Sequence, residues 1–186
     1  YNFDMKKIFW TVLLCVCIGV ILVMIFERQN NSEIQVEPFM TFSSTAFANN
    51  TFIPSNFTCD GSNERPELSW GNLPEGTKSL AIIVDDPDAP NGDFVHWIIW
   101  NIDPLKQTNI SKEVPNEAIE GITGFGKSGW GGPCPPAGVH RYFFKLYALD
   151  DVLDLESKTT KVDLEGAIQG HILGETSFIG LYEKIK

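Results

Sequence analysis

The sequence predicts a mainly β fold, a sandwich of sheets with little helix, and three observations predict it. Apolar runs of strand length occur at residues 80–84, 96–102 and 142–149. Runs apolar on successive residues belong to strands buried on both faces. Turn residues separate the short segments, at Pro54, Asp60-Gly61, Pro66, Pro74-Glu75-Gly76 and Asp86-Pro87, so the chain reverses in loops instead of crossing over through helices. Only one stretch late in the chain has helical periodicity.

The chain has 186 residues, enough for one domain with an appendage, and its 43% hydrophobic share supports a real core. Net charge is -10 and no run of Lys or Arg appears. That excludes the electrostatic footprint of a nucleic-acid binder. Residues 8–26 carry no charge and are almost wholly apolar, with Lys6-Lys7 before them and Glu27-Arg28 after. A helix of roughly 20 apolar residues spans a bilayer, and no small-residue cleavage site ends this one. We therefore expect a signal anchor or transmembrane segment over 1–27, with the protein's natural start at Met5, a polar linker over 28–38 and a folded domain over 39–186. The domain is expected outside the cytoplasm, anchored in the membrane; secretion after signal cleavage is the alternative.

Within the domain, residues 52–55 and 68–70 read as short strands, followed by the three apolar runs. Thr160-x-x-Asp163 resembles a capping box, and Leu164, Ile168 and Ile172 recur on one face. This predicts a helix carrying His171 and closed by Gly174. Residues 178–182 read as a short terminal strand or turn.

Among the three histidines, His96 and His140 each open a buried run behind a proline-rich loop. One loop is Asp85-Asp86-Pro87-Asp88-Ala89-Pro90 and the other runs over 129–138 with Pro133, Pro135 and Pro136. Carboxylates at the exit of an apolar strand need partners. Either Asp86 and Asp88 satisfy loop N–H groups, with the histidines buried and hydrogen-bonded, or Asp86, His96, His140 and Tyr142 converge on a pocket. A two-histidine, one-carboxylate metal site has no local spacing behind it. No G-x-S-x-G elbow is present, and nothing near Cys134 lowers a thiol pKa. Cys59 and Cys134 lack zinc-ligand spacing, and the sequence leaves open whether they pair.

The motifs Asp86-Pro87-Asp88-Ala89-Pro90 with His96-Trp97, and Gly132-Pro133-Cys134-Pro135-Pro136 leading to His140-Arg141-Tyr142, resemble those of the phosphatidylethanolamine-binding protein (PEBP) family. Thr58-Cys59-Asp60-Gly61 and Leu68-Ser69-Trp70 are similar to its bacterial and archaeal, Raf kinase inhibitor-like (YbhB/YbcL-type) branch. The resemblance implies a β-sandwich of antiparallel sheets, Greek-key in part, with a few peripheral helices. It implies an anion pocket built from Asp86, His96, Gly132, Pro136, His140 and Tyr142, with Ala89 and Pro90 as wall. The implied ligands are phosphate, a phospholipid headgroup such as phosphoethanolamine, or a carboxylate, and the implied partner is a protease or kinase. No cofactor and no catalytic residue are implied; the alternative is a hydrolase or metal-dependent enzyme using His96, His140 and Asp86. Trp70 and Trp97 are expected in the core. Asn63-Glu64-Arg65-Pro66 departs from the branch's usual spelling, which puts the placement of that loop in question.

Overall fold

The computed structural model describes residues 18–21, 23–24, 39–111 and 113–184. The chain forms two units, Tyr1–Pro38 and Phe39–Lys186. Residues 18–21 and 23–24 are helical; the rest of the expected anchor and the linker lie outside the described residues. Among the described residues no helix is long and apolar enough to cross a membrane.

The regular structure of the larger unit is mostly strand: β1 (Thr41–Ser44), β2 (Thr51–Phe52), β3 (Leu68–Gly71), β4 (Ser79–Asp86), β5 (Phe94–Ile102), β6 (Asn109–Ile110), β7 (Ile119–Glu120), β8 (Val139–Leu149) and β9 (Ile172–Glu183), with a 3-10 turn at Ser55–Phe57, where the expected strand over 52–55 gives way, and one α-helix among the described residues, α1 (Lys161–Ile168). A small sheet has the order β1-β3-β6 and a large one β2-β9-β8-β4-β5-β7. Pairing is antiparallel throughout except for β2 against β9, which is parallel.

The continuous apolar runs are explained by two cores. Leu80, Ile82, Val84, Trp97 and Ile99 face the sandwich interior with Phe42, Trp70 and Phe144. Their alternates Ala81, Ile83, Ile98 and Trp100 face a second cluster capped by Leu164 and Ile168 of α1. Every residue of β4 is buried as a result. Strand β8 departs from the expectation of burial on both faces. Tyr142, Phe144, Leu146 and Ala148 are buried, whereas Arg141 is exposed and Phe143, Lys145 and Tyr147 are half-buried, because α1 covers β4 and β5 and leaves most of this face open.

The capping box forms: the Thr160 side chain accepts from the Asp163 N–H, and Asp163 reaches back to the Thr160 N–H. The helix nevertheless stops at Ile168, well short of Gly174. Gly170 takes φ +86, a left-handed conformation that glycine adopts without steric cost. His171 therefore lies in the turn, its Nδ1 2.8 Å from Asp150 Oδ1, and Ile172 opens β9. That strand pairs with β8 from Leu149↔Ile172 to Val139↔Glu183, much longer than the predicted terminal piece. Its first half, Ile172 to Ser177, is exposed or half-buried throughout and carries Gly, Glu, Thr and Ser in a row, so no apolar run announces it.

Candidate functional site

Antiparallel pairing gathers the site at one end of the large sheet. Strand β4 ends at Asp86, opposite Phe94 at the start of β5, and Asp85 pairs with Phe143 near the start of β8. The exit of one strand and the entries of its two neighbours thus deliver Asp86, His96, His140 and Tyr142 to one place. They line a cavity of about 290 Å³ together with Ala89, Pro90 and Pro136, at the small end of the range for ligand pockets.

The imidazoles are fixed by their Nδ1 atoms. His96 Nδ1 lies 2.6 Å from the Gly131 carbonyl oxygen. A carbonyl only accepts, so Nδ1 carries the proton. The Gly131 N–H donates back to the His96 carbonyl at 3.0 Å, clamping strand to loop. His140 Nδ1 lies 2.7 Å from Asp86 Oδ2, with both side chains almost wholly buried. In each ring the nitrogen left for a guest is Nε2. Burial pushes the His96 imidazole below its usual range, outweighing the Gly131 hydrogen bond and the Asp86 carboxylate, which act the other way.

Tyr142 is fully buried, and its hydroxyl has no hydrogen-bond partner. Burial, reinforced by the Asp86 carboxylate, holds the phenol far above its ordinary pKa; the Cys134 backbone N–H pulls weakly the other way without closing a hydrogen bond. The group is thus a permanent O–H donor. A buried hydroxyl left unpaired is costly, and a guest oxygen would satisfy it.

Gly132 is not among the residues lining the cavity, although its carbonyl acts on the His96 imidazole. Its N–H donates to Asn63 Oδ1 at 2.8 Å. A Cβ there would lie 2.4 Å from that oxygen and 2.5 Å from the Phe57 carbonyl oxygen. Only glycine lets the wall loop pack on the 57–63 segment, so Gly132 joins that segment to the cavity wall. Cys59 and Cys134 form a disulfide that ties the same two segments, which closes the question the sequence left open. Cys134 lines the cavity with its sulfur already bonded. In the departing loop, Arg65 is buried over the Trp97 ring at 4.5 Å and hydrogen-bonds the Ser111 carbonyl, while Trp70 and Trp97 sit in the core.

Both readings of the acidic loop hold for Asp86. Asp86 Oδ1 accepts the Asp88 N–H at 2.9 Å while Oδ2 takes His140. Asp88 points away and accepts the Arg141 backbone N–H, Nε and a terminal nitrogen; those side-chain hydrogen bonds hold its carboxyl down at about 2. Asp85 lies on the opposite face, 2.6 Å from Lys145 Nζ and 2.5 Å from Lys161 Nζ. Lys161 also pairs with Asp93 on the cavity rim. Burial lowers the Lys161 pKa, yet hydrogen bonds to Asp85 and Asp93 win and raise it.

Sequence reasoning missed the aromatic wall of Phe94 and Phe125. Phe94 was within reach, being two residues before His96 and so on the same face of β5. Phe125 lies in a loop with no pattern; it closes on Phe94 at 4.9 Å between ring centroids. Among the described residues no group of three His, Cys, Asp or Glu side chains could hold a metal ion.

The fold and site define a class: a two-sheet β domain with a small cavity floored by imidazole, carboxylate and phenol at its strand ends. A family model described as phosphatidylethanolamine-binding protein matches residues 43–183. A UPF0098 protein of Methanothermobacter thermautotrophicus is 48% identical over 151 residues, covering 78% of this chain and 99% of the relative. A solved phosphatidylethanolamine-binding protein homologue from Chlamydia trachomatis aligns with a TM-score of 0.75 and 38% identity, covering 79% of this chain and 99% of that one. Escherichia coli YbcL, described as a member of the mammalian PEBP family, aligns with 0.74 and 28%, covering 80% and 100%. The chain belongs to the phosphatidylethanolamine-binding protein family.

Proposed function

We propose that this protein is a non-enzymatic module that binds a small anionic group, phosphate, phosphoethanolamine or carboxylate, in the cavity between β4, β5 and β8. The observation that carries the reading is the buried, unpartnered Tyr142 hydroxyl, beside two imidazoles whose Nδ1 atoms are already committed. A guest oxygen completes the one, and the Nε2 atoms become donors on protonation. Affinity then rises on acidification. Because burial lowers the His96 pKa, its share of that rise falls below its ordinary value of about 6.5.

The family's printed name supports a headgroup-like ligand, and the apolar segment over 8–26 supports a membrane-anchored, extracytoplasmic setting. In that setting an occupied cavity would regulate a protein partner such as a protease. A hydrolase using His96, His140 and Asp86 has the Asp86–His140 pair in its favour. It lacks a nucleophile: no serine lines the cavity and Cys134 is in the disulfide. The test is calorimetry with phosphate and phosphoethanolamine at about pH 5.5 and 8, beside His96→Ala and His140→Ala. Binding that strengthens at the lower pH and is lost in both variants is expected. Turnover of a phosphoester that disappears in His140→Ala would replace this reading with the enzyme.

A further inference from the structure

We infer that the end of the larger unit opposite the cavity is a lipid-docking surface, which leaves the cavity facing away from the bilayer that holds the chain. This rests on the membrane-anchored setting proposed above and not on the identity of the cavity's ligand.

Strand register defines that end. Ser79 opens β4 opposite Leu149, Leu80 pairs with Ile102, the last residue of β5, and Leu149 pairs with Ile172 at the start of β9. The loops leaving these positions carry bare apolar side chains. Leu105 is 94% exposed and Val152 58%, and Ile172 and Leu173 are exposed at the start of β9. Ser79 Oγ donates to the Asp151 carbonyl, which holds the Val152 loop at this end. Phe39, 84% exposed, joins them: its carbonyl accepts the Asn72 side-chain amide, and the neighbouring Met40 and Pro74 lie beside Gly174 of β9. Of the nine large apolar side chains exposed among the described residues of the larger unit, these are five. Scattered apolar side chains need no explanation, but a group of them at one end marks a contact surface.

Chain connectivity says what covers this surface. The folded unit begins at Phe39, on this end, and residues 27–38 separate it from the apolar segment over 8–26. Fully extended, that stretch reaches at most about 40 Å, about the width of a domain this size. The bilayer is therefore the apolar phase always within reach of these tips. Charge does not supply the attraction. Net charge is -10, which a second copy would share, and Lys106 beside Leu105 is matched by Asp103 and Glu117. The contact is apolar insertion into a zwitterionic surface, as for side chains that sit at the acyl boundary. Strand β4 runs from Ser79 to Asp86, about 25 Å, so the cavity at its far end opens to solution, where a soluble ligand or partner reaches it.

The measurement is lipid quenching on the full chain reconstituted in phosphatidylcholine liposomes. Cys15→Ser and Cys17→Ser leave only the bridged Cys59 and Cys134, so a fluorescent label goes to one added cysteine at a time. The sites are Leu105→Cys, Val152→Cys and, in the exposed loop on the cavity side, Ala137→Cys. With nitroxide-bearing phosphatidylcholine, labels at 105 and 152 are expected to dim at least about twofold, because interfacial residues lie within about 5–10 Å of the acyl boundary. The label at 137 should not dim. Dimming at 137, or at neither 105 nor 152 in chains that float with the liposomes, would overturn the inference and leave the anchored setting standing. A chain that does not float with the liposomes would overturn both. Labels at 105 and 152 shielded from an aqueous quencher but untouched by the lipid one would put a protein on this surface and overturn the inference as well. The two sites are read separately, so if one variant does not fold the other decides.

Discussion

Replacing Cys59 and Cys134 together by serine tests how the cavity wall is held. The bridge joins positions 75 residues apart. Opening a loop of that length restores chain entropy to the unfolded state worth about 4.5 kcal/mol at 25 °C in the loop-closure treatment. With a urea slope of about 2 kcal/mol/M, the unfolding midpoint should fall by about 2 M. On the usual scaling for domains near this size the Tm should fall by about 10–15 °C. The local loss adds to this, because the bridge is reinforced by the Cys59 N–H donating to the Pro133 carbonyl at 3.1 Å. Cys134 also lines the cavity, so phosphate affinity should drop with stability. Equilibrium urea unfolding followed by tryptophan fluorescence reads the first effect and calorimetry the second. Of the four cysteines, only Cys15 and Cys17 should react with a thiol reagent in the denatured, unreduced chain. A midpoint shift below about 0.5 M, or full reaction of all cysteines, would refute the bridge and the wall built on it.

Tyr142→Phe removes a buried hydroxyl that has no partner; stability should hold or rise by about 1 kcal/mol while phosphate affinity falls about tenfold, and a loss of stability in urea unfolding would show that the hydroxyl is satisfied within the protein. His96 has a folded pKa below its ordinary value because of burial, so between the two values the unfolded chain binds more protons than the native one. Stability should therefore fall as pH drops below about 6.5, and His96→Gln should flatten that part of a Tm-against-pH curve. Asp88, held at about 2 by Arg141, contributes in the opposite part of the acid range. Its stabilisation is present above the ordinary carboxylate pKa and fades as pH falls toward 2, so Asp88→Asn should flatten the curve there and leave the histidine region unchanged.

Much of the fold was legible because burial leaves a mark on composition. Strands β4 and β5 are covered by the small sheet's core on one side and α1 on the other, so both alternating sets of residues are apolar and the runs are continuous. Strand β9 has one half-exposed face and small polar residues, and its length is set by pairing with β8, which no local pattern reports. The helix start was written in Thr160 and Asp163, where the chemistry is local. Its end was misread because Leu164, Ile168 and Ile172 share a spacing, while the left-handed turn at Gly170 redirects the chain.

The site divides the same way. Asp86, His96, His140 and Tyr142 could be named because polar residues at the ends of buried strands need a reason to be there. Gly132 could be named but not placed: its part depends on the 57–63 segment, which lies far away in sequence. Phe125 reaches the cavity only through tertiary packing, and the Lys161 contacts to Asp85 and Asp93 join residues too far apart for any spacing to show them.

The central claim, that His96 and His140 form one anion site, is tested most directly by following the imidazole NMR signals of the full chain during a phosphate titration. The three histidines include their own control, because His171 sits in the turn before β9 with Asp150 and does not line the cavity. The account predicts that His96 and His140 shift together along a single saturating curve while His171 stays still. His171 moving alone, or His96 and His140 remaining fixed at saturating phosphate, would contradict it.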